Sequence, residues 1–98
     1  MVKLEIILDA SWANRLLETL DEIGVLGYTV FDTSAGKGSN GMAMPTGFSD
    51  VFNQKYIIAI VPEAEIGSII EKISPLLTNA KGVAYSTSNV NWWFPKRV

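Results

Sequence analysis

The chain has 98 residues, of which 48% are hydrophobic, and a formal net charge of -2. That length suits one domain with a single core. The acidic balance excludes a nucleic-acid binder that depends on overall positive charge. Because cysteine and histidine are both absent, the chain lacks disulfides, thiolate metal sites and the commonest general base. No apolar run approaches the ~18 residues of a membrane-spanning helix, and no signal-peptide pattern is present, so we expect a cytoplasmic protein.

The first half of the chain predicts a strand, a helix and a second strand. The apolar segment 2–8 is typical of a central strand. Apolar residues then recur at helical spacing after Asp9 and Ser11, either of which can cap a helix start. Gly24 is a good stop for that helix. Aromatic and β-branched residues over 28–32 predict the next strand.

A long glycine- and serine-rich segment, residues 33–52, follows and contains no helix or strand pattern. Such a loop inside a small domain is uncommon and is usually either functional or disordered. Over residues 34–41, glycines flank Lys37. Backbone N–H groups of such a stretch can wrap an anion while the lysine adds positive charge. The Walker arrangement is missing, and a flexible linker is the alternative interpretation.

The second half repeats the order of the first. Residues 55–61 predict a buried strand, and isoleucines at helical spacing over 66–73 predict a helix that Pro75 should end or kink. Residues 79–82 have turn chemistry, and residues 83–88 predict the last strand. The chain is therefore a duplicated β-α-β unit with a long loop between its halves.

This duplication predicts an α+β, ferredoxin-like βαββαβ fold: a four-stranded antiparallel sheet, two helices on one face, and a long loop between strands 2 and 3. We expect one domain over 1–98, with a flexible segment at 34–53 and a C-terminal tail at 89–98. Apolar residues fill both alternating positions of the first and third predicted strands. The sheet face without helices should therefore be covered too, and further copies of the chain are the expected cover.

The tail contains three consecutive aromatic residues, Trp92, Trp93 and Phe94. Adjacent residues of a strand point to opposite faces, so these side chains cannot all belong to one core. We expect them to dock on a neighbouring subunit. A strand extension that completes the core, or stacking on a nucleotide base, are the alternatives.

The sequence shows no catalytic apparatus. Its carboxylates are scattered over predicted helix faces, and we find no nucleophile–base pair and no cluster of metal ligands. We therefore expect no catalytic residues, no metal site and no enzymatic activity.

Three stretches resemble corresponding parts of the PII signalling proteins. Residues 17–38, LETLDEIGVLGYTVFDTSAGKG, resemble the end of that family's first helix, its second strand and the glycine-rich start of its T-loop. Residues 56–73 resemble its next strand and second helix, and residues 80–90 resemble its B-loop region. The likeness covers nearly the whole chain in order and spacing.

The resemblance implies a homotrimeric regulatory sensor. Members of the family bind adenine nucleotides between subunits and signal through the T-loop to a transporter or enzyme. For this chain that implies ADP, AMP or ATP as the ligand, bicarbonate as a further ligand of the subgroup tied to inorganic-carbon transport, and a role in inorganic-carbon or nitrogen metabolism. No nucleic-acid partner or membrane insertion is implied. Carried over by position, the nucleotide-binding residues are Ile7, Gly27, Thr29, Gly36, Lys37, Gly38, Ile60, Val61, Lys81 and Gly82.

The sequence also departs from the family pattern. Ser39 lies near the place of an arginine that usually follows the T-loop glycines, and Asn79 and Ala80 precede Lys81 in place of G-x-G. The family's last strand usually has two arginines that contact phosphates, and the aligned positions here fall among the aromatic residues around Trp92. The long loop of this chain has no tyrosine. With fewer cations, ADP or AMP is favoured over ATP with magnesium.

Three rival functions share this type of fold. A CutA-like trimer is disfavoured because histidine and cysteine, the ligands of a soft-metal site, are absent. A small acylphosphatase-type enzyme would need an arginine directly after the first strand, whereas Arg15 lies well inside the first predicted helix. An RNA-binding sheet is disfavoured because the predicted central strands lack the paired aromatics, and the chain lacks the basic surface, that such a sheet would need.

Overall fold

The structure, a computed structural model, describes residues 1–33, 36–38, 41–43 and 53–93. A single 3-10 turn over Glu63–Glu65 leads into the second helix. In chain order, the other elements are β1 (Val2–Asp9), α1 (Ala10–Ile23), β2 (Tyr28–Asp32), β3 (Gly36–Gly38), β4 (Gly41–Ala43), β5 (Gln54–Val61), α2 (Ile66–Ala80) and β6 (Val83–Thr87).

Four of the strands form one antiparallel sheet in the order β2-β5-β1-β6. The two most apolar strands, β1 and β5, lie at the centre and pair from Val2 opposite Val61 to Asp9 opposite Gln54. The shorter strands β2 and β6 form the edges. This arrangement confirms the predicted ferredoxin-like fold.

Both helices pack on one face of this sheet. Burial alternates along β1 and β5, because successive strand side chains point to opposite faces. The inward set meets the apolar stripes of α1 and α2, as their helical spacing predicts. The largest fully buried side chains are Leu4, Ile6, Leu8, Leu16, Leu20, Ile57, Ile69, Ile73, Val2 and Val61.

Local chemistry sets both ends of α1. At the start, Asp9 caps the helix, and its carboxylate accepts a hydrogen bond from the Ser11 backbone N–H at 2.9 Å. At the end, Gly24 adopts a left-handed conformation with φ of 97°, and its N–H donates to the carbonyls of Leu20 and Asp21. Glycine suits this position because it has no Cβ to strain there. Of the two predicted caps, Asp9 is the one that starts the helix, and the predicted stop at Gly24 is confirmed.

Pro75 was expected to end or kink the second helix; the helix continues through it, so the first of these alternatives is wrong. It runs from Ile66 to Ala80. Proline removes the N–H that would bond the carbonyl of Glu71, but both residues are exposed and water can satisfy that carbonyl. Packing of the buried Ile73 and Ala80 on either side of the proline keeps the helix against the sheet.

The long segment after β2 contains strands that the sequence pattern did not predict. Residues 36–38 pair with residues 41–43 as a short antiparallel ladder, in which Lys37 lies opposite Met42. The expectation of no strand is wrong there, because glycine is depleted in strands and hid the pairing. The other residues of the predicted flexible segment 34–53, except Asn53, and those of the tail from Phe94 onward, lie outside the described residues.

The second face of the sheet carries no helix, and we call it the open face. Both alternations of β5 are apolar, whereas on β1 Ile7 shares the outward alternation with Lys3, Glu5 and Asp9. Three large side chains on this face are well exposed: the exposed fraction is 48% for Phe31, 41% for Val83 and 53% for Tyr85. Register and alternation place the following residues on it: Lys3, Glu5, Ile7, Thr29, Phe31, Tyr56, Ile58, Ile60, Val83, Tyr85 and Thr87.

Neither helix in the described part of the chain is long and apolar enough to cross a membrane.

We expect Gly82→Ala to lower the free energy of unfolding by about 1–3 kcal/mol, the usual cost of overpacking. A Cβ at this position would lie 2.9 Å from the Ile7 carbonyl oxygen and 2.9 Å from Leu8 Cβ. Urea denaturation measures the change. Gly67→Ala is the matched control, because no atom lies within 4 Å of its Cβ position, and it should be neutral or slightly stabilising. Equal stability of the two variants would contradict the close packing at Gly82.

Candidate functional site

The predicted ligand residues fall into two groups at opposite ends of the sheet. We call one end the loop end, where β1 and β2 finish and β5 and β6 begin. The other is the far end, where β1 and β2 begin and β5 and β6 finish. Ile7, Lys81 and Gly82 lie at the loop end, whereas Gly27, Thr29, Ile60 and Val61 lie toward the far end.

Hydrogen bonds hold the two stems of the long segment at the loop end. The Thr33 backbone N–H donates to the Gln54 carbonyl at 3.2 Å, and the Thr33 hydroxyl donates to the same oxygen at 3.1 Å. The Ala10 N–H donates to the Asn53 carbonyl at 2.9 Å. The segment therefore leaves and re-enters the sheet beside the start of α1. Strand β3, which holds Gly36, Lys37 and Gly38, begins three residues after the first stem and belongs to this end by connectivity.

The turn between α2 and β6 is held tightly against β1. Gly82 lies close to the carbonyl of Ile7, and its N–H donates to the Leu77 carbonyl at 2.8 Å. Lys81 adopts a left-handed conformation with φ of 53°, and its N–H donates to the Thr78 carbonyl at 3.5 Å. A non-glycine residue in that conformation costs about 1–2 kcal/mol, so the surrounding contacts must hold it. They anchor the backbone of an exposed lysine beside the end of β1.

The residues toward the far end leave an open surface. Thr29 is exposed and lies opposite Ile58, with Ile60 two residues further along β5 on the same face. A Cβ added to Gly27 would have no atom within 4 Å, so this position has room for a ligand. Val61 differs, because its side chain is only 2% exposed in the core and only its backbone is available to a ligand.

A single chain does not bring the two groups together. Ile7 lies opposite Tyr56, whereas Ile60 lies opposite Lys3, four residues earlier on β1. At about 3.3 Å per strand residue, the groups are ~13 Å apart along the sheet. A ligand that contacts both must be elongated and must lie along the open face.

Sequence reasoning missed an aromatic pair on the open face. The rings of Phe31 and Tyr56 stack with centroids 5.6 Å apart and an interplanar angle of 28°. Burial raises the pKa of the Tyr56 hydroxyl above its ordinary value, and the nearby Glu5 carboxylate raises it further. The pair depends on the register between β2 and β5, so no local pattern could have revealed it.

Two lysines near the predicted groups were also missed. Lys3, opposite Ile60, forms an ion pair with Glu5 at 3.0 Å, and that hydrogen bond and charge raise the pKa of the lysine. Lys55 forms an ion pair with Asp32 across the β2–β5 ladder at the loop end. The sequence signal available for Lys55 was its position as the first residue of the predicted apolar strand 55–61. Both lysines are thus already paired with carboxylates in the isolated chain.

Among the described residues, no three acidic, histidine or cysteine side chains are grouped to hold a metal ion.

Comparisons with known proteins agree with this fold. The family model described as nitrogen regulatory protein P-II matches residues 1–91. CPII, a nitrogen regulatory PII-like protein from Thiomonas intermedia K12 solved bound to ADP, AMP and bicarbonate, is 36% identical, with a TM-score of 0.77 over 88% of this chain and 82% of that one. Its apo form is 32% identical in the alignment, with a TM-score of 0.69 over 88% of this chain and 85% of that one.

A more distant structure shows the fold alone. A duf3240 family protein from Shewanella baltica OS155 is 11% identical, with a TM-score of 0.74 over 96% of each chain. No curated protein sequence matches this chain significantly. The P-II match runs through both helices and all the strands of the sheet. The resemblance inferred from the sequence is thereby confirmed, and the chain belongs to the nitrogen regulatory protein P-II family.

Proposed function

We propose that this protein is a PII-like regulatory sensor that acts as one domain over residues 1–98. It binds ADP, AMP or ATP in the seams between three copies of the chain. The observation that carries the proposal is family membership together with the similarity to CPII, which was solved with ADP and AMP bound. The regulatory description of the family supports a signalling role over a catalytic one.

The separation of the two residue groups supports a nucleotide laid along the open face. Toward the far end, Gly27, Thr29 and Ile60 offer space, a hydroxyl and an apolar side chain, which suit a purine. At the loop end, Lys81 and the backbone of β3 offer a cation and amide donors, which suit phosphates. The ~13 Å between the groups is comparable to the length of an extended nucleoside diphosphate.

Self-association is supported by the open face. Phe31 is exposed beside the outward isoleucines of β5, and Val83 and Tyr85 are exposed on the other edge of the sheet, beside β1. Apolar patches of this kind usually mark interfaces. A homotrimer, the assembly implied by the family resemblance, covers three such faces around one axis and creates seams that border the ligand residues.

Bicarbonate is proposed as a second ligand, and the long segment as the output of the sensor. CPII was solved with bicarbonate and, separately, with acetate, an anion of similar shape. The stems of the segment at 34–53 lie at the loop end, where the phosphates are proposed to bind. Ligand-dependent ordering of a loop is a general switching mode. Through it the protein would signal to a transporter or enzyme of inorganic-carbon or nitrogen metabolism.

Isothermal titration calorimetry tests the sensor. ADP, AMP and ATP are titrated with and without bicarbonate, and GDP serves as the control for base identity. We expect at least one adenine nucleotide to bind more tightly than GDP, and bicarbonate to change that affinity. Absence of binding at millimolar adenine nucleotide would overturn the proposed function.

The double variant Lys37→Ala, Lys81→Ala tests the phosphate assignment. Loss of two charge-assisted contacts should weaken ADP by about 10- to 100-fold and AMP by less, because AMP has one phosphate fewer. Lys72→Ala, which removes an exposed lysine of α2, is the matched control and should bind normally. Unchanged ADP affinity in the double variant would show that the phosphates bind elsewhere.

Light scattering of Tyr85→Glu tests the assembly. This substitution adds a charge opposite Glu5 on the open face, and we expect it to convert a trimer to a monomer. Ser86→Glu, at the next and also exposed residue of β6, lies on the other face and should remain trimeric. A monomeric parent chain, or equal masses for the two variants, would contradict seams formed by the open face.

A further inference from the structure

We infer that Tyr56 is a positioning residue for the phosphate end of the ligand site. It holds Phe31, and Phe31 in turn fixes the stem from which the long segment leaves β2. This inference rests on the proposed function, because the phosphates are proposed to bind where that stem leads into β3. Neither aromatic residue is among the predicted ligand residues.

An ion pair on β1, which we call the anchor, lies on the open face. Lys3 Nζ is 3.0 Å from a carboxylate oxygen of Glu5, and both side chains are partly exposed. Their neighbours across the β1–β5 ladder are Ile60 and Ile58, so the anchor is surrounded by apolar side chains on that side. A partly exposed ion pair adds little to stability. It can nevertheless hold a charged carboxylate in one place as a strong hydrogen-bond acceptor.

The hydroxyl of Tyr56 is bound to this anchor. Tyr56 lies opposite Ile7, so Glu5 is its diagonal neighbour on the same face of the sheet. Aromatic side chains reach diagonal neighbours across a ladder. Burial raises the pKa of the Tyr56 hydroxyl, and the charge of the Glu5 carboxylate and its hydrogen bond with the hydroxyl raise it further. The hydroxyl therefore keeps its proton and donates to the carboxylate, which fixes that end of the ring.

The ring of Tyr56 holds Phe31 on the neighbouring strand. The two residues lie directly opposite each other in the β2–β5 ladder, and their rings stack with centroids 5.6 Å apart. Such a stack is favourable beyond the apolar area that it buries. Within the sheet, β2 is an edge strand with β5 as its neighbour. The stack therefore supplies a side-chain contact that holds the end of this edge strand on the open face.

The stem begins two residues after Phe31. The backbone N–H and the hydroxyl of Thr33 both donate to the Gln54 carbonyl. Between them along β2, Asp32 pairs with Lys55 on the helix face of the sheet. The last residues of β2 are thus held on both faces, and the anchor on β1 is joined to the stem by a continuous series of contacts across three strands.

The phosphate end depends on this series more than the base end does. Binding groups stay in place when packing and hydrogen bonds lock the residues behind them. Strand β3, with its proposed phosphate donors, follows the stem, so a displaced stem displaces those donors too. Gly27 and Thr29 come before Phe31, and Thr29 is separately paired with Ile58 in the ladder. Loss of the hold on Phe31 should therefore weaken phosphate binding and spare the base.

Calorimetry with ADP and adenosine tests this difference, because adenosine has the base and ribose but no phosphate. Tyr56→Phe removes the hydroxyl and keeps the ring, whereas Phe31→Leu removes the stack and keeps an apolar side chain. We expect each variant to bind ADP about 2- to 30-fold more weakly, the range for residues that act through a network, with adenosine unchanged in competition with ADP. The double variant should lose no more than the larger single loss, because both residues act in one series.

Tyr28→Phe is the matched control. It also removes a tyrosine hydroxyl that bonds a carboxylate, that of Asp21 at 3.3 Å, and it lies on β2 but on the helix face. Its ADP affinity should equal that of the parent chain. Unchanged ADP affinity in Tyr56→Phe, an equal loss for ADP and adenosine, or an altered mass in light scattering would overturn the inference and leave the proposed function standing. A parent chain that binds no adenine nucleotide would overturn both.

Amide hydrogen exchange without ligand tests the hold on the stem directly. We expect the Thr33 N–H to exchange faster in both Tyr56→Phe and Phe31→Leu, because its bond to Gln54 opens more often. The Ala10 N–H, which bonds Asn53 at the other stem, should exchange as in the parent chain. Unchanged exchange at Thr33 would show that the stem is held without the stack, and equal acceleration at both amides would indicate a general loss of stability. Either result would overturn the inference.

Discussion

The pairing of β1 with β5 is the constraint on which the rest of the structure depends. The two strands align over the eight residues of β1 at the centre of the sheet. Because side chains alternate, this one register sets both the core and the open face: Leu4 and Ile6 lie under the helices, and Glu5 and Ile7 lie opposite. A shift by one residue would exchange the two sets. The same pairing also determines which predicted ligand residues meet and which remain apart.

One face of the sheet is covered by the helices, whereas the other leaves apolar and aromatic side chains exposed. The Lys3–Glu5 ion pair lies among them. A partly exposed pair of this kind stabilises the isolated chain little, whereas in a covered seam each charge would depend on the other. The family features are concentrated on this scaffold, and the tryptophans of the tail lie outside the family match.

Much of the fold could be predicted because its signals are local. β2 coincides with the predicted 28–32, and the limits of α1 follow from Asp9 and Gly24. The failures also have physical reasons. The glycines of β3 and β4 conceal a pairing that no propensity favours, and α2 continues through Pro75 because tertiary packing outweighs the lost hydrogen bond. The ligand residues followed from family resemblance, and their roles remain predictions.

Local sequence chemistry was sufficient for the type and order of the main elements, the cap of α1, and the presence of apolar residues on both alternations of the central strands. For β5, where both alternations are apolar, it could not say which alternation is the core. Nor could it show that Phe31 stacks on Tyr56 or that Lys55 lies beside Asp32. It also could not show that Ile60 lies opposite a residue of β1 four positions before Ile7. Those relationships join residues far apart in the chain. They exist only once packing against the helices has chosen the cross-strand register, because every cross-strand neighbour follows from that choice.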